Sequence, residues 1–157
     1  MTETIATRPT TAPEIVELPA RQAAVVRIEG PVADMPRMMG EAFDLTTQAI
    51  RSSGASFAGH PFARYVTVEP QVVAEVGFPF TRTVIPTDLV YICDLPGGRA
   101  VKVTHVGPYE GIGAAWHRAT AWMAEQGLEQ AAPGWEAYLT SPDEPGPPII
   151  EIYFPIR

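Results

Sequence analysis

Three short segments of this 157-residue chain recur downstream in the same order and at nearly the same distance. Ala24 to Pro31, AVVRIEGP, returns 77 positions later as Val101 to Pro108, VKVTHVGP. Phe62 to Thr67, FARYVT, returns 73 positions later as Trp135 to Thr140, WEAYLT. Val73 to Phe80, VAEVGFPF, returns 76 positions later as Ile149 to Ile156, IIEIYFPI. Near-constant offsets in a constant order imply two copies of one unit of about 75 residues. Two such units pack across a pseudo-two-fold seam, and a seam between packed halves is a favoured place for a small-molecule pocket. Function is then expected where the copies differ. The sharpest difference is Ala63 in the first copy against Glu136 in the second.

Each copy reads as strand, strand, helix, strand, strand. Ile15 to Ile28 is apolar-rich and β-prone, and Gly30-Pro31 stops it. Asp34 is the expected N-cap of a helix on which Met35, Met38, Met39, Ala42, Leu45 and Ala49 recur at helical spacing. Strands are expected near Phe62–Val68 and Val72–Phe78. In the second copy, strands at Val90–Leu95 and Ala100–Val106 precede the stop at Gly107-Pro108. Ile112, Ala115, Trp116, Ala119, Trp122 and Met123 then form one apolar helical stripe, ended by Gly127. Strands Trp135–Thr140 and Pro148–Phe154 close the copy around a Pro-rich hairpin. This order predicts an α+β fold with largely antiparallel sheet and one covering helix per half. The expected organisation is a tail over residues 1–13 and a single domain over 14–157, made of repeats at about 14–82 and 86–157.

Composition narrows the function classes. A net charge of -7 argues against a basic nucleic-acid footprint and mildly favours neutral or cationic ligands. No apolar run reaches membrane-spanning length, and the N-terminal residues lack the pattern of a secretory signal. The lone Cys93 excludes an intrachain disulfide and fits a reducing cytoplasm. His60, His105 and His117 lack metal-ligand spacing, so neither a metal nor another cofactor is expected. His105, in a strand, reads as a packed core histidine. The Met35-Met38-Met39 cluster reads as helical core rather than an adaptable binding face.

The series GRAVKVTHVGPYEGI, the amphipathic helix after it, WEAYLTSP and the terminal IIEIYFPI together resemble the GyrI-like family. This is the small-molecule-binding domain also found as the effector domain of AraC-type and MerR-type bacterial regulators. The resemblance spans roughly Ile15 to Arg157. It implies tandem β-α-β-β units with a ligand cleft between them. It also implies that Glu136 is the carboxylate that meets cationic aromatic compounds in drug-binding members. A subset of free-standing members hydrolyses strained cyclopropane-bearing natural products. No helix-turn-helix is read ahead of the domain, which sets direct DNA contact aside.

Strand alternation puts Glu136 and Tyr138 on one face and Trp135, Ala137 and Leu139 on the other. The faces opposite the apolar sets are expected to carry Tyr65, Glu75, Glu136, Tyr138, Glu151 and Tyr153, aromatic rings mixed with acids. Such a lining suits a flat cation: each ring face offers about 0.5–2 kcal/mol of cation–π attraction. The same alternation is what any half-exposed strand shows. Trp116 is read as core, with one ring edge toward the cleft, and Tyr91 is assigned to the cleft. Tyr109 is left between capping the cleft and packing on its turn. Two functions are compatible with these residues. The first is capture of hydrophobic, cationic aromatic compounds by a cytoplasmic sensor or sequestering protein, with a protein partner as an option. The alternative is a hydrolase of cyclopropane-bearing compounds, with Glu136 and Tyr138 as its acid–base pair.

Overall fold

The computed structural model describes residues 11–157. In chain order these form strands β1 (Glu14–Leu18) and β2 (Arg21–Gly30), helix α1 (Met35–Ser52), and strands β3 (Ser56–Phe57), β4 (Phe62–Thr67), β5 (Val72–Thr81) and β6 (Val90–Leu95). Strand β7 (Gly98–Val106), helix α2 (Ile112–Glu125), and strands β8 (Trp135–Tyr138) and β9 (Ile149–Pro155) follow. The class is α+β, with antiparallel strand pairing and two helices, as the sequence predicts.

The chain forms two compact units, Pro19–Gly97 and Gly98–Arg157, the second joined by the strand that ends at Leu18. In the Pro19–Gly97 unit, β5 pairs with β4 and β2, and β2 pairs with β6. In the Gly98–Arg157 unit, β9 pairs with β8 and β7, and β7 pairs with β1. The two ladders share their register: Ala63 lies opposite Val76 as Glu136 lies opposite Ile152, and Tyr65 opposite Ala74 as Tyr138 opposite Ile150.

The unit boundaries differ from those read in the sequence, where the first half runs from 14 to 82 and the second from 86 to 157. Strand β1 joins the second unit through β7, and β6 joins the first through β2. Pro19 explains part of the difference. It has no N–H for a ladder, so Ile15–Ile28 breaks into two strands that are free to pair apart. Of the expected tail, residues 1–10 lie outside the described residues. Thr11 is anchored, its N–H donating to the Thr104 carbonyl at 2.8 Å.

Both helices begin the same way. After Pro31 and after Pro108 the chain makes one 3-10 turn and then enters the α-helix. Asp34 occupies the N-cap of α1, but its side chain makes no capping hydrogen bond. Helix α2 ends at Glu125 and is stopped by Gly127, whose φ of +70° suits glycine, and Leu128 N–H donates back to the Met123 carbonyl at 2.9 Å. On its inner side Ala115, Ala119 and Met123 pack against Val101, Val103, Ile150, Ile152 and Phe154. Helix α1 covers the face of β2 and β5 that carries Ala24, Val26, Ala74, Val76 and Phe78; the Phe43 ring meets Phe78 edge-on at 5.6 Å.

Gly77 lies tight against the backbone of β2. A methyl group there would overlap the Ala24 carbonyl oxygen. His105 is core, as expected: it is buried, and its Nε2 lies 2.7 Å from the Pro108 carbonyl oxygen. That contact ties the end of β7 to the turn that starts α2.

Candidate functional site

Glu136 is held on β8 beneath α2, and only 5% of it is exposed. Trp116, one turn into α2, donates its indole N–H to Glu136 Oε2 at 2.6 Å. The Tyr138 hydroxyl donates to Glu136 Oε1 at 2.7 Å. An ionised carboxylate only accepts hydrogen bonds, so an indole N–H and a phenol O–H match that state. Bonds to a charged acceptor are the shorter and stronger kind.

The indole itself is fixed on several sides. Its ring meets Phe154 edge-to-face, with centroids 4.8 Å apart. Its benzo edge lies over Gly134, the residue before β8: a methyl group built on Gly134 would stand 3.2 Å from both Cη2 and Cζ3. The result is a buried acid whose two oxygens are aimed by aromatic donors. This arrangement supplies fixed negative charge against ring surface, and it places a carboxylate in contact with a phenol proton.

The register corrects the expected lining. Glu136 and Tyr138 lie opposite Ile152 and Ile150, so they share the face covered by α2. Glu151 and Tyr153 lie opposite Ala137 and Trp135, on the other face of the same sheet. The four residues were expected on one face. Alternation separates the two faces of each strand, but only the cross-strand register says which face of one strand continues that of the next. Both faces of β8 are filled. Trp135 is buried and stacks on the Tyr153 ring, centroids 5.6 Å apart, so an apolar residue there does not identify the helix side.

On that second face, the Tyr153 hydroxyl donates to Glu151 Oε1 at 2.6 Å, and Lys102 Nζ lies 3.6 Å from Glu151 Oε2. The Pro19–Gly97 unit divides its residues the same way. Tyr65 lies on the helix side with Ala63, Ala74 and Val76. Glu75 and Tyr91 lie on the opposite side, where the Tyr91 hydroxyl donates to Glu75 Oε2 at 2.7 Å. Burial raises the Tyr91 pKa well above the ordinary tyrosine value, and the bond to Glu75 and its charge add to the shift. Tyr109 is exposed, in the 3-10 turn before α2.

Sequence reasoning missed two residues. Arg64 donates from Nε (2.9 Å) and Nη2 (2.7 Å) to Glu75 Oε1, and from Nη1 to the Asp94 carbonyl at 3.0 Å. Its cross-strand position opposite Glu75 becomes visible only once β4 and β5 are registered. Gly134 is the other, and the sequence did carry its signal: the corresponding residue 73 positions upstream is Pro61.

The fold and the family model together define a small-molecule-binding α+β domain. The chain belongs to the family of the GyrI-like small molecule binding domain, whose model matches residues 11–157. The structure is similar to the C-terminal domain of EcmrR, with TM-score 0.79 and 17% identity over 92% of this chain and 96% of that one. It is also similar to EcmrR in its complex with DNA, with TM-score 0.81 and 16% identity. That match covers 99% of this chain but only 60% of the EcmrR chain. A hydrolase from Listeria innocua aligns with TM-score 0.63 and 15% identity, over 99% of this chain and 96% of that one. SAV2435 bound to tetraphenylphosphonium aligns with TM-score 0.64 and 8% identity, over 94% of each chain. At these identities the likeness is one of fold. Curated proteins return no match. No helix of the described residues is long and apolar enough to cross a membrane.

Proposed function

We propose that this chain captures hydrophobic cationic aromatic compounds, with Glu136 as the charge partner and Trp116 and Tyr138 as its aromatic surroundings. The observation that carries the reading is the buried Glu136 carboxylate, aimed by an indole N–H at 2.6 Å and a phenol O–H at 2.7 Å. At an effective dielectric of about 20, a cation roughly 4 Å from this charge gains about 4 kcal/mol before it sheds water. A compact ammonium loses much of that in desolvation, whereas a cation spread over aromatic rings gives up little hydration and gains ring contacts. The binding of tetraphenylphosphonium by a protein of the same fold supports this choice of ligand. The two units are copies of one ancestral unit in this reading, and the site arose where the second copy gained an acid. With its net charge of -7 the protein works in the cytoplasm as a sensor or sequestering protein, through its ligand and a protein partner rather than by direct nucleic-acid contact. The test is calorimetric titration with tetraphenylphosphonium and with neutral triphenylphosphine oxide. The cation is expected to bind at least tenfold more tightly, about 1.4 kcal/mol; equal affinities would remove the charge partner from the account.

One contact favours a second reading, hydrolysis of a cyclopropane-bearing electrophile. The Tyr138 hydroxyl donates to the Glu136 carboxylate at 2.7 Å, so a proton can pass between an acid and a base at this position. Glu136 would take a proton from water as its oxygen bonds to a ring carbon. The ring C–C bond would break, its electron pair would pass to the substrate's acceptor, which takes the Tyr138 proton, and the proton held by Glu136 would return to the Tyr138 oxygen. Chromatography of such a compound after incubation separates the readings: recovery intact supports capture alone, and multiple turnovers support hydrolysis.

A further inference from the structure

The acid and two positions around it differ between the two units. Where the second has Trp116, Gly134 and Glu136, the corresponding positions in the first hold Met39, Pro61 and Ala63. Tyr138 has a counterpart in Tyr65, so the phenol is common to both units. The exchange is therefore an indole, an acid and a glycine, and the glycine makes no polar contribution of its own.

Its contribution is space. The backbone of Gly134 is not in the left-handed region, so conformation does not call for glycine there. A methyl group on its Cα would stand 2.9 Å from the Tyr153 carbonyl oxygen, which is backbone, and 3.2 Å from Cη2 and Cζ3 of Trp116. The carbonyl belongs to β9 and is held by the sheet. An added methyl can gain room only by moving away from that carbonyl, which presses it onto the indole, and the indole is a rigid plane. Pressure on its benzo edge swings the opposite, pyrrole edge, where Nε1 makes the 2.6 Å bond to Glu136 Oε2. Phe154, packed edge-to-face on the same ring, blocks simple translation.

We infer that Gly134 is a positioning residue of the Glu136 site: its missing side chain lets the Trp116 indole lie where its N–H fixes the carboxylate. The inference rests on the proposed reading for its effect on ligands, but the positioning itself is measurable without one. It also gives the second unit's glycine a role that Pro61 cannot fill in the first.

The test uses indole-15N-labelled protein, with the Trp116 N–H resonance assigned by its loss in Trp116→Phe. In the unmodified protein that resonance is expected downfield of the other indoles, as a short bond to a carboxylate requires. Gly134→Ala should move it upfield and weaken tetraphenylphosphonium binding about five- to 50-fold, while triphenylphosphine oxide changes less than threefold. Phenylalanine lacks the benzo edge, so Gly134→Ala should add little to the affinity already lost in Trp116→Phe. If Gly134→Ala fails to fold but the double variant folds, the clash with the indole is upheld. If both fail to fold, the Tyr153 carbonyl is the decisive neighbour and the inference falls. It falls also if Gly134→Ala leaves the Trp116 resonance in place. Absence of cation binding by the unmodified protein would sink the proposed function, while the resonance shift would still decide the positioning.

Discussion

Replacement of Glu136 by Gln separates the charge from the shape of the site. The amide offers one acceptor and one donor group in place of two acceptors. The Trp116 N–H can only donate, so the amide oxygen must turn toward it. The Tyr138 hydroxyl can reverse and accept from the amide NH2. Both contacts therefore survive, now as neutral hydrogen bonds. Each drops from the range of about 1.5–3 kcal/mol to about 0.5–1.5 kcal/mol, a loss of roughly 2 kcal/mol for the pair. Removal of a charge that is only 5% exposed offsets that loss by relieving its desolvation penalty. Urea unfolding should therefore show a stability change within about 2 kcal/mol in either direction. Cation affinity has no such offset. Tetraphenylphosphonium should lose about 1–3 kcal/mol, five- to 150-fold, while triphenylphosphine oxide binds nearly as before. Under the hydrolytic reading, turnover should cease while the intact substrate still binds. Equal losses for the cation and the neutral compound, or none for either, would refute the assignment of Glu136 as the charge partner.

Three further outcomes follow from the Pro19–Gly97 unit. Gly77→Ala should destabilise the fold by ~3 kcal/mol or more, since the added methyl meets the Ala24 carbonyl of the paired strand and cannot be relieved by a rotamer change; a urea midpoint equal to that of the unmodified protein would contradict the close approach. Burial pushes the Cys93 thiol up to about 11, with Glu75 and Asp94 adding to the shift and Arg64 opposing it. The unfolded chain ionises near the ordinary thiol value while the folded one keeps its proton, so stability is full below about pH 9 and falls as pH rises toward 11. Cys93→Ala should flatten that part of the pH–stability curve, leaving the loss due to Tyr91, whose raised pKa acts in the same direction at higher pH. The native thiol, half-buried and with a raised pKa, should also react slowly with a disulfide reagent at pH 8, and reaction at the rate of a free thiol would contradict that shift.

The sequence by itself determined the antiparallel α+β class, both helices, the glycine that stops α2, and the position where the second copy carries an acid in place of Ala63. These are local facts. Helical stripes, glycine and proline stops and period-2 alternation are written in neighbouring residues, and the recurrence of three segments needs only the chain. His105 as core was legible for the same reason, and so was the difference between Ala63 and Glu136. Tertiary structure alone decided which strands pair: β1 lies on β7 and β6 on β2, against the linear division of the halves. It also decided the faces, setting Glu136 and Tyr138 beneath α2 while Glu151 and Tyr153 turn away. Alternation is unchanged when a whole strand is flipped, so only cross-strand register and helix packing can break that tie. The bond that aims Glu136 from an indole 20 residues upstream exists because α2 packs on β7 and β9, while the phenol two residues on comes from β8 itself. Gly134 acquired its meaning there as well, as the space that an indole from another element occupies.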